Sequence, residues 1–179
     1  VKSFPLPERR FGRHEKIVKR VLADYDRVNP PLGLMTLGKK GSGKSMLCED
    51  ICNRFLAQGM PIIMVDEPVP HDVLLLFAQA VGQSVFYFDE IGKVYPRKGS
   101  DDDSNTGLNQ LLPFFSNQTL IGRVFLITAN SSSELNEFFI DRPGRFKYRV
   151  EMETMERAAY LEYMQAQNVP PERLIWLEG

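Results

Sequence analysis

The sequence predicts an α/β fold with three layers: a five-stranded, mostly parallel sheet with helices on both faces. Three observations predict it. Short apolar runs bounded by turn residues alternate with stretches whose apolar residues recur at helical spacing. A glycine-rich turn, Gly38-Lys-Lys-Gly-Ser-Gly-Lys-Ser45, joins the first of these runs directly to a helical stretch. The length of 179 residues, 43% of them hydrophobic and 25% charged, suits one globular domain with a real core. Strands that alternate with helices need crossover connections, so the sheet is expected to be covered on both sides.

The elements follow in order. Residues 1–10 hold two prolines and several charges and read as an arm. Ile17, Val18, Val21, Leu22 and Tyr25 form a helical apolar stripe over 15–25, ended by Asn29-Pro-Pro31. The run at 33–37 predicts the first strand, and the apolar periodicity of 46–56 the helix after the glycine turn, stopping near Gln58-Gly59. A second strand is expected at 61–66. A connector with Pro68 and Pro70 leads to a short helix over 72–80, ending at Gly82. The third strand is expected at 84–88, followed by a polar loop over 92–105 that carries the solvated run Asp101-Asp-Asp103. A helical pattern returns at 108–115 and the fourth strand at 123–128. The alternation of 147–152 suggests an edge strand, and Thr154 can cap a last helix over 155–167.

The composition limits the function classes. A formal net charge of −1 and a pI near 6.2 make no electrostatic case for nucleic acid, although they leave room for a local basic patch. No apolar run approaches the length that spans a bilayer, and no secretory leader is visible. The first residue is Val1 rather than Met, as in an excised segment. The two cysteines, Cys48 and Cys52, lie one helical turn apart without a His or Cys cluster; they read as reduced, largely buried thiols, with a cytoplasmic location as the default.

The chemistry starts at the glycine turn. A strand, a glycine-rich loop ending in Gly-Lys-Ser and a helix make the phosphate-binding P-loop pattern. Its glycines let successive backbone N–H groups approach phosphate oxygens, and the positive end of the next helix adds to that field. The pattern predicts a nucleoside triphosphate such as ATP, or its diphosphate product such as ADP, held by Gly38, Lys39, Lys40, Gly41, Ser42, Gly43, Lys44, Ser45 and Met46. Lys44 is expected on the β- and γ-phosphates, and the Ser45 hydroxyl on Mg2+. The third strand delivers Asp89-Glu90, one carboxylate for the metal and one to polarise an attacking water. Val65-Asp66-Glu67 is a decoy of the same form, since it opens into a proline-broken connector.

Asp89-Glu90-Ile91, Asn109-Gln-Leu-Leu112, Thr128-Ala-Asn130 and Arg142-Pro-Gly-Arg-Phe146, in that order, complete a set. With the P-loop they make the chain resemble the AAA branch of the AAA+ ATPases over nearly its whole length. The resemblance implies a P-loop NTPase fold of the RecA/AAA+ type, with a nucleotide-binding core over 1–153 and the start of a small, truncated helical lid over 154–179, where Met155-Glu-Arg157 stands. It implies Asn130 as a sensor near the γ-phosphate and Phe11-Gly12 as the segment against the adenine base. It also implies Arg142 and Arg145 as fingers that reach a neighbouring subunit's site, with Glu90, Asn130 and Lys44 as the catalytic residues within the subunit. The implied assembly is a homo-oligomeric ring, a hexamer by resemblance, acting on a macromolecular substrate, protein or nucleic acid.

The chain departs from that pattern in three places. Lys39-Lys40 stand where the family usually has two prolines, giving the loop more positive charge and less rigidity. The sequence ends soon after the first lid helix, at Gly179. The connector between the second and third strands lacks an aromatic-hydrophobic-glycine loop of the kind that grips polypeptides, which counts against protein threading. Three functions therefore stay open: a ring-forming ATPase, a nucleotide-switched assembly module with weak or no turnover, and a P-loop small-molecule kinase. Lys93, Arg97 and Lys98 could touch nucleic-acid phosphates or form a solvated loop.

Overall fold

The computed structural model describes residues 3–8, 10, 12–27, 31–96, 107–135, 146–152 and 157–170. Strands β1 (Leu32–Leu37), β2 (Ile62–Met64), β3 (Ser84–Phe88), β4 (Arg123–Ala129) and β5 (Tyr148–Glu151) form one sheet in the order β2-β3-β4-β1-β5. Every neighbouring pair is parallel, so the sheet is wholly parallel where the sequence predicted mostly. β1 and β3 are buried along their whole length, as continuous apolar runs in a doubly covered sheet should be. β5 instead alternates half-buried and exposed residues at the sheet edge, matching its alternating sequence.

The helices are α1 (His14–Tyr25), α2 (Lys44–Ala57), α3 (His71–Val81), α4 (Ile91–Val94), α5 (Leu112–Phe115) and α6 (Arg157–Ala166). Because strand side chains alternate in direction, they divide the core into two layers. Leu34, Val85, Tyr87 and Leu126 pack with Val18 and Val21 of α1 and Leu47, Ile51 and Phe55 of α2. Met35, Phe86, Phe88, Phe125 and Ile127 pack with Leu74 and Ala78 of α3 and with Phe114 and Phe115 of α5. Phe114 centres this second layer, with ring centroids of Phe86, Phe88, Phe115 and Phe125 at 5.4, 6.5, 5.4 and 5.1 Å. Helices thus cover both faces, and the three-layer expectation holds.

Local departures have physical causes. α2 ends as the sequence predicts: Gly59 takes φ +85°, Gly59 N–H donates to Leu56 O, and Met60 N–H donates to Phe55 O, each at 3.0 Å. The expected polar loop after Glu90 opens instead with α4, because Ile91 and Tyr95 are buried and pin that turn to the core. The Tyr95 hydroxyl accepts from Val69 N–H at 2.9 Å and donates to Val69 O at 3.1 Å, tying α4 to the connector before α3. The helical stretch expected at 108–115 splits into a 3-10 turn (Asn109–Leu111) and α5, whose first turn contains Pro113, a residue with no N–H to donate. Among the described residues, no helix is long and apolar enough to cross a membrane. Arg97, Lys98 and the run Asp101-Asp-Asp103 lie outside the described residues, as do Met155 and Glu156.

Candidate functional site

The carboxyl ends of β3, β4 and β1 lie side by side, since Phe88 pairs with Ile127 and Leu37 pairs with Ala129. The loop at 38–43 leaves β1, Asp89 and Glu90 leave β3, and Asn130 leaves β4. Open parallel sheets bind ligands at this edge. The decoy Asp66-Glu67 follows β2, at the far edge of the sheet, and both residues are exposed.

The loop leads into α2 with backbone shapes that glycine permits. Gly41 and Gly43 take φ +82° and +90°, and Gly43 is the residue before the first turn of the helix. Gly38 is needed for space: a Cβ there would stand 2.1 Å from Met152 O. Lys44 opens α2 and is 5% exposed. Its ammonium donates to Gly38 O at 2.6 Å, Lys39 O at 3.0 Å and Asn130 Oδ1 at 3.2 Å, so one cation gathers the loop and the end of β4. Lys39 and Lys40 are exposed beside it, and no acidic residue of α2 itself occupies its first turn, where the helix dipole is positive.

The acidic side is equally ordered. Asp89 Oδ1 accepts from Ser45 Oγ at 3.0 Å and from Thr128 Oγ1 at 2.6 Å. Thr128 Oγ1 in turn accepts the Glu90 N–H at 2.7 Å. This fixes a sharp reversal, for Glu90 takes φ +47°, a left-handed conformation costly for a residue with a Cβ. The two adjacent carboxylates therefore diverge. Asp89 faces Ser45, whereas Glu90 meets Lys93 on α4 and also hydrogen-bonds the Asn130 side chain. The bond from Lys93 holds the Glu90 carboxyl below its ordinary range against a smaller effect of burial, with Asn130 and the charge of Lys40 acting in the same sense as Lys93. Burial and the Asp89 charge push nearby Glu49 upward.

The residues suit a magnesium-bound nucleoside triphosphate. The Ser42 Oγ is buried with no hydrogen-bond partner among the described residues, in a loop lined by N–H donors. Ser45 and Asp89 offer the hard oxygens that magnesium takes. Met46 and Met152 flank Gly43, and a Cβ there would lie 3.8 and 3.7 Å from their methyl carbons. Gly12, expected against the base, is exposed with φ +64°. Phe11, Arg142 and Arg145 lie outside the described residues.

Sequence reasoning missed Thr128 as a site residue, although it stands in the Thr-Ala-Asn segment; a hydroxyl at the end of an otherwise apolar strand was the available signal. It also missed Tyr87, whose buried hydroxyl faces Ser45 and Asp89 without reaching full hydrogen-bond geometry to either, and whose ionisation burial strongly opposes. The cysteines are as expected: both are free and buried, and burial pushes Cys48 up to about 12 and Cys52 higher still.

A model of the ATPase family associated with various cellular activities (AAA) matches residues 34–154. The chain is 27% identical over 165 residues to Protein SAV of Sulfolobus acidocaldarius, covering 84% of this chain and 21% of that protein. It is 27% identical over 147 residues to a Cell division cycle protein 48 homolog of Archaeoglobus fulgidus, covering 75% of this chain and 20% of the relative. Over 142 residues it is 25% identical to an "AAA ATPase forming ring-shaped complexes" of Corynebacterium jeikeium, covering 69% of this chain and 28% of that one. The chain thus spans about a fifth to a quarter of the length of these curated relatives.

Proposed function

The chain belongs to the AAA family of ATPases, and we propose that it hydrolyses ATP at a composite site, as one subunit of a ring that remodels or moves a macromolecular partner. The observation that carries this reading is the continuous network at the sheet edge, Lys44–Asn130–Glu90 on one side and Ser45–Asp89–Thr128 on the other. The nucleotide-binding core runs over 1–153 in this reading, and 154–179 begins the lid.

Each residue has a task set by its chemistry. Lys44 and the loop amides bind the β- and γ-phosphates, and Lys39 and Lys40 add charge of the favourable sign. Ser45 and Asp89 would hold magnesium, which when bound neutralises charge on the phosphate oxygens. Asn130, within reach of both Lys44 and Glu90, orients the attacking water, and Glu90 accepts its proton. Arg142 and Arg145 come from the neighbouring subunit and stabilise charge in the transition state, a contribution of about 10³–10⁵ in rate for such arginines. The resemblance of the segment, together with a relative described as forming ring-shaped complexes, supports the arrangement in trans.

A second reading is a nucleotide-switched assembly module with slow turnover. The Lys93–Glu90 ion pair favours it, since Glu90 must leave that pair before it can act as a base. Turnover measured against protein concentration separates the two. The ring reading expects specific activity to rise steeply with concentration, and Arg145→Ala to lose turnover by about 10³-fold while retaining ATP binding. Full activity in a strictly monomeric sample would refute the finger in trans.

A further inference from the structure

The arm before α1 lies along α2 and is fastened to it by two side chains about one turn apart. Asn53 Oδ1 accepts from Phe4 N–H at 2.8 Å and Asn53 Nδ2 donates to Phe4 O at 2.9 Å, the paired bonds of a backbone mimic. Asp50 is the second fastener, and it is 1% exposed on a helix whose other buried residues beyond Lys44 are apolar. Its Oδ2 accepts from Arg10 Nε at 3.1 Å and from His14 Nε2 at 2.9 Å. One oxygen thus closes the chain between residues 10 and 14, and Gly12, with its φ of +64°, lies midway. Arg10 is itself oriented, donating through Nη1 to Pro7 O at 2.7 Å and Glu8 O at 3.1 Å. The other carboxylate oxygen of Asp50 meets Arg54 Nε at 3.4 Å.

A buried carboxylate is a costly way to fill space. An apolar side chain of similar volume would pack as well or better, so its presence asks for another reason. Burial favours the neutral acid, yet the hydrogen bond from His14, the charge of Arg10 and the hydrogen bond from Arg54 outweigh it and keep Asp50 below its ordinary range. The carboxylate is thus a charged fixed point. It sits six residues beyond Lys44 on one helix, about 9 Å along a rigid rod from the phosphate lysine. His14 Nδ1, next to this point, is buried with no hydrogen-bond partner among the described residues.

We propose that Asp50 is a positioning residue for the base end of the nucleotide site. By gripping Arg10 and His14 together it sets the place of Gly12, which the family resemblance puts against the adenine base, relative to Lys44, so that the spacing between base and phosphates is built into α2. The inference rests on the ATP-site reading and assigns its base selectivity to a residue that touches no nucleotide. A carboxylate that served only to hold the arm would affect stability and leave the choice of base alone.

The test is binding of fluorescent ATP and GTP analogues, with magnesium, to the full chain and to Asp50→Asn, with folding followed by circular dichroism. The parent is expected to prefer ATP, and Asp50→Asn to bind ATP about tenfold more weakly with GTP affinity within about twofold of the parent; a parent without that preference overturns the proposal. Lys44→Ala is the reference and should lose both nucleotides. If it binds both as the parent does, the ATP-site reading fails and takes this inference with it. If Lys44→Ala loses binding while folded Asp50→Asn keeps the parent's ATP-to-GTP ratio, the Asp50 role alone is overturned. Should Asp50→Asn fail to fold, Arg10→Gln removes one arm of the grip at a partly exposed residue. The same loss of ratio is expected there, and an unchanged ratio in that folded variant overturns the proposal.

Discussion

Replacing Thr128 with valine removes one hydroxyl from the end of β4 and nothing else of size, and the structure makes that hydroxyl the hinge between Asp89 and Glu90. It donates to the Asp89 carboxylate at 2.6 Å and accepts the Glu90 N–H at 2.7 Å, at a residue with no exposed surface. A hydrogen bond to a charged acceptor contributes about 1.5–3 kcal/mol, and an amide left without a partner costs about 1–3 kcal/mol. Asp89 keeps its bond from Ser45 and some solvent, so the lower part of the sum applies, about 2.5–4 kcal/mol. Thr128→Ser is the control, for it keeps the hydroxyl and gives up a methyl group, at about 1 kcal/mol. Urea unfolding followed by circular dichroism should then rank the parent above Thr128→Ser, and Thr128→Ser above Thr128→Val, with Val shifting the midpoint by about 1 M or more. A valine variant as stable as the serine one would refute the reasoning, because it would mean that volume at this site outweighs the hydroxyl.

Two further outcomes follow from the charges and thiols. Lys93 holds the Glu90 carboxyl low, and a base with a depressed pKa stays ionised until pH falls through the lowered value. The acid limb of kcat/KM should therefore lie below the ordinary glutamate value of 4.5 and move up in Lys93→Ala; a limb that does not move would remove Lys93 from control of Glu90. Burial pushes Cys48 up to about 12, so at pH 8 only about one thiol in 10⁴ is a thiolate. A disulfide reagent should label neither cysteine in the native protein and both in denaturant, and rapid native labelling would contradict the packing of α2.

The fold was legible because local and global signals agree. β3 occupies the expected residues, 84–88, since an apolar run between Gly82 and two carboxylates has few other places to go. The α2 boundary at Gly59 was readable for the same reason, as one glycine supplies the left-handed turn that the helix end needs. α4 was not readable, because four residues carry too little periodicity and its anchor is Tyr95 bonding to Val69, distant in sequence. The site divides in the same way. The loop at 38–45 and Asp89-Glu90 announce themselves by contiguous pattern, and the network joins Lys44 to Asn130 and Ser45 to Asp89 across 86 and 44 residues. Thr128 and Asp50 stayed hidden because their meaning lies in partners: a threonine in a strand and an aspartate in a helix are unremarked until Asp89, Glu90, Arg10 and His14 arrive beside them.

The central claim is that the network at the sheet edge is a hydrolysis site in which Lys44 binds and Glu90 activates water. Its most direct test is Glu90→Gln, which keeps the shape of the side chain and removes its basicity. ATP binding and phosphate release should be measured on the same sample at a concentration that saturates assembly. The expected result is ATP affinity within about threefold of the parent, with turnover reduced by about 10²-fold or more, the usual share of a general base. Phosphate release at the parent rate, with binding intact, would contradict the account.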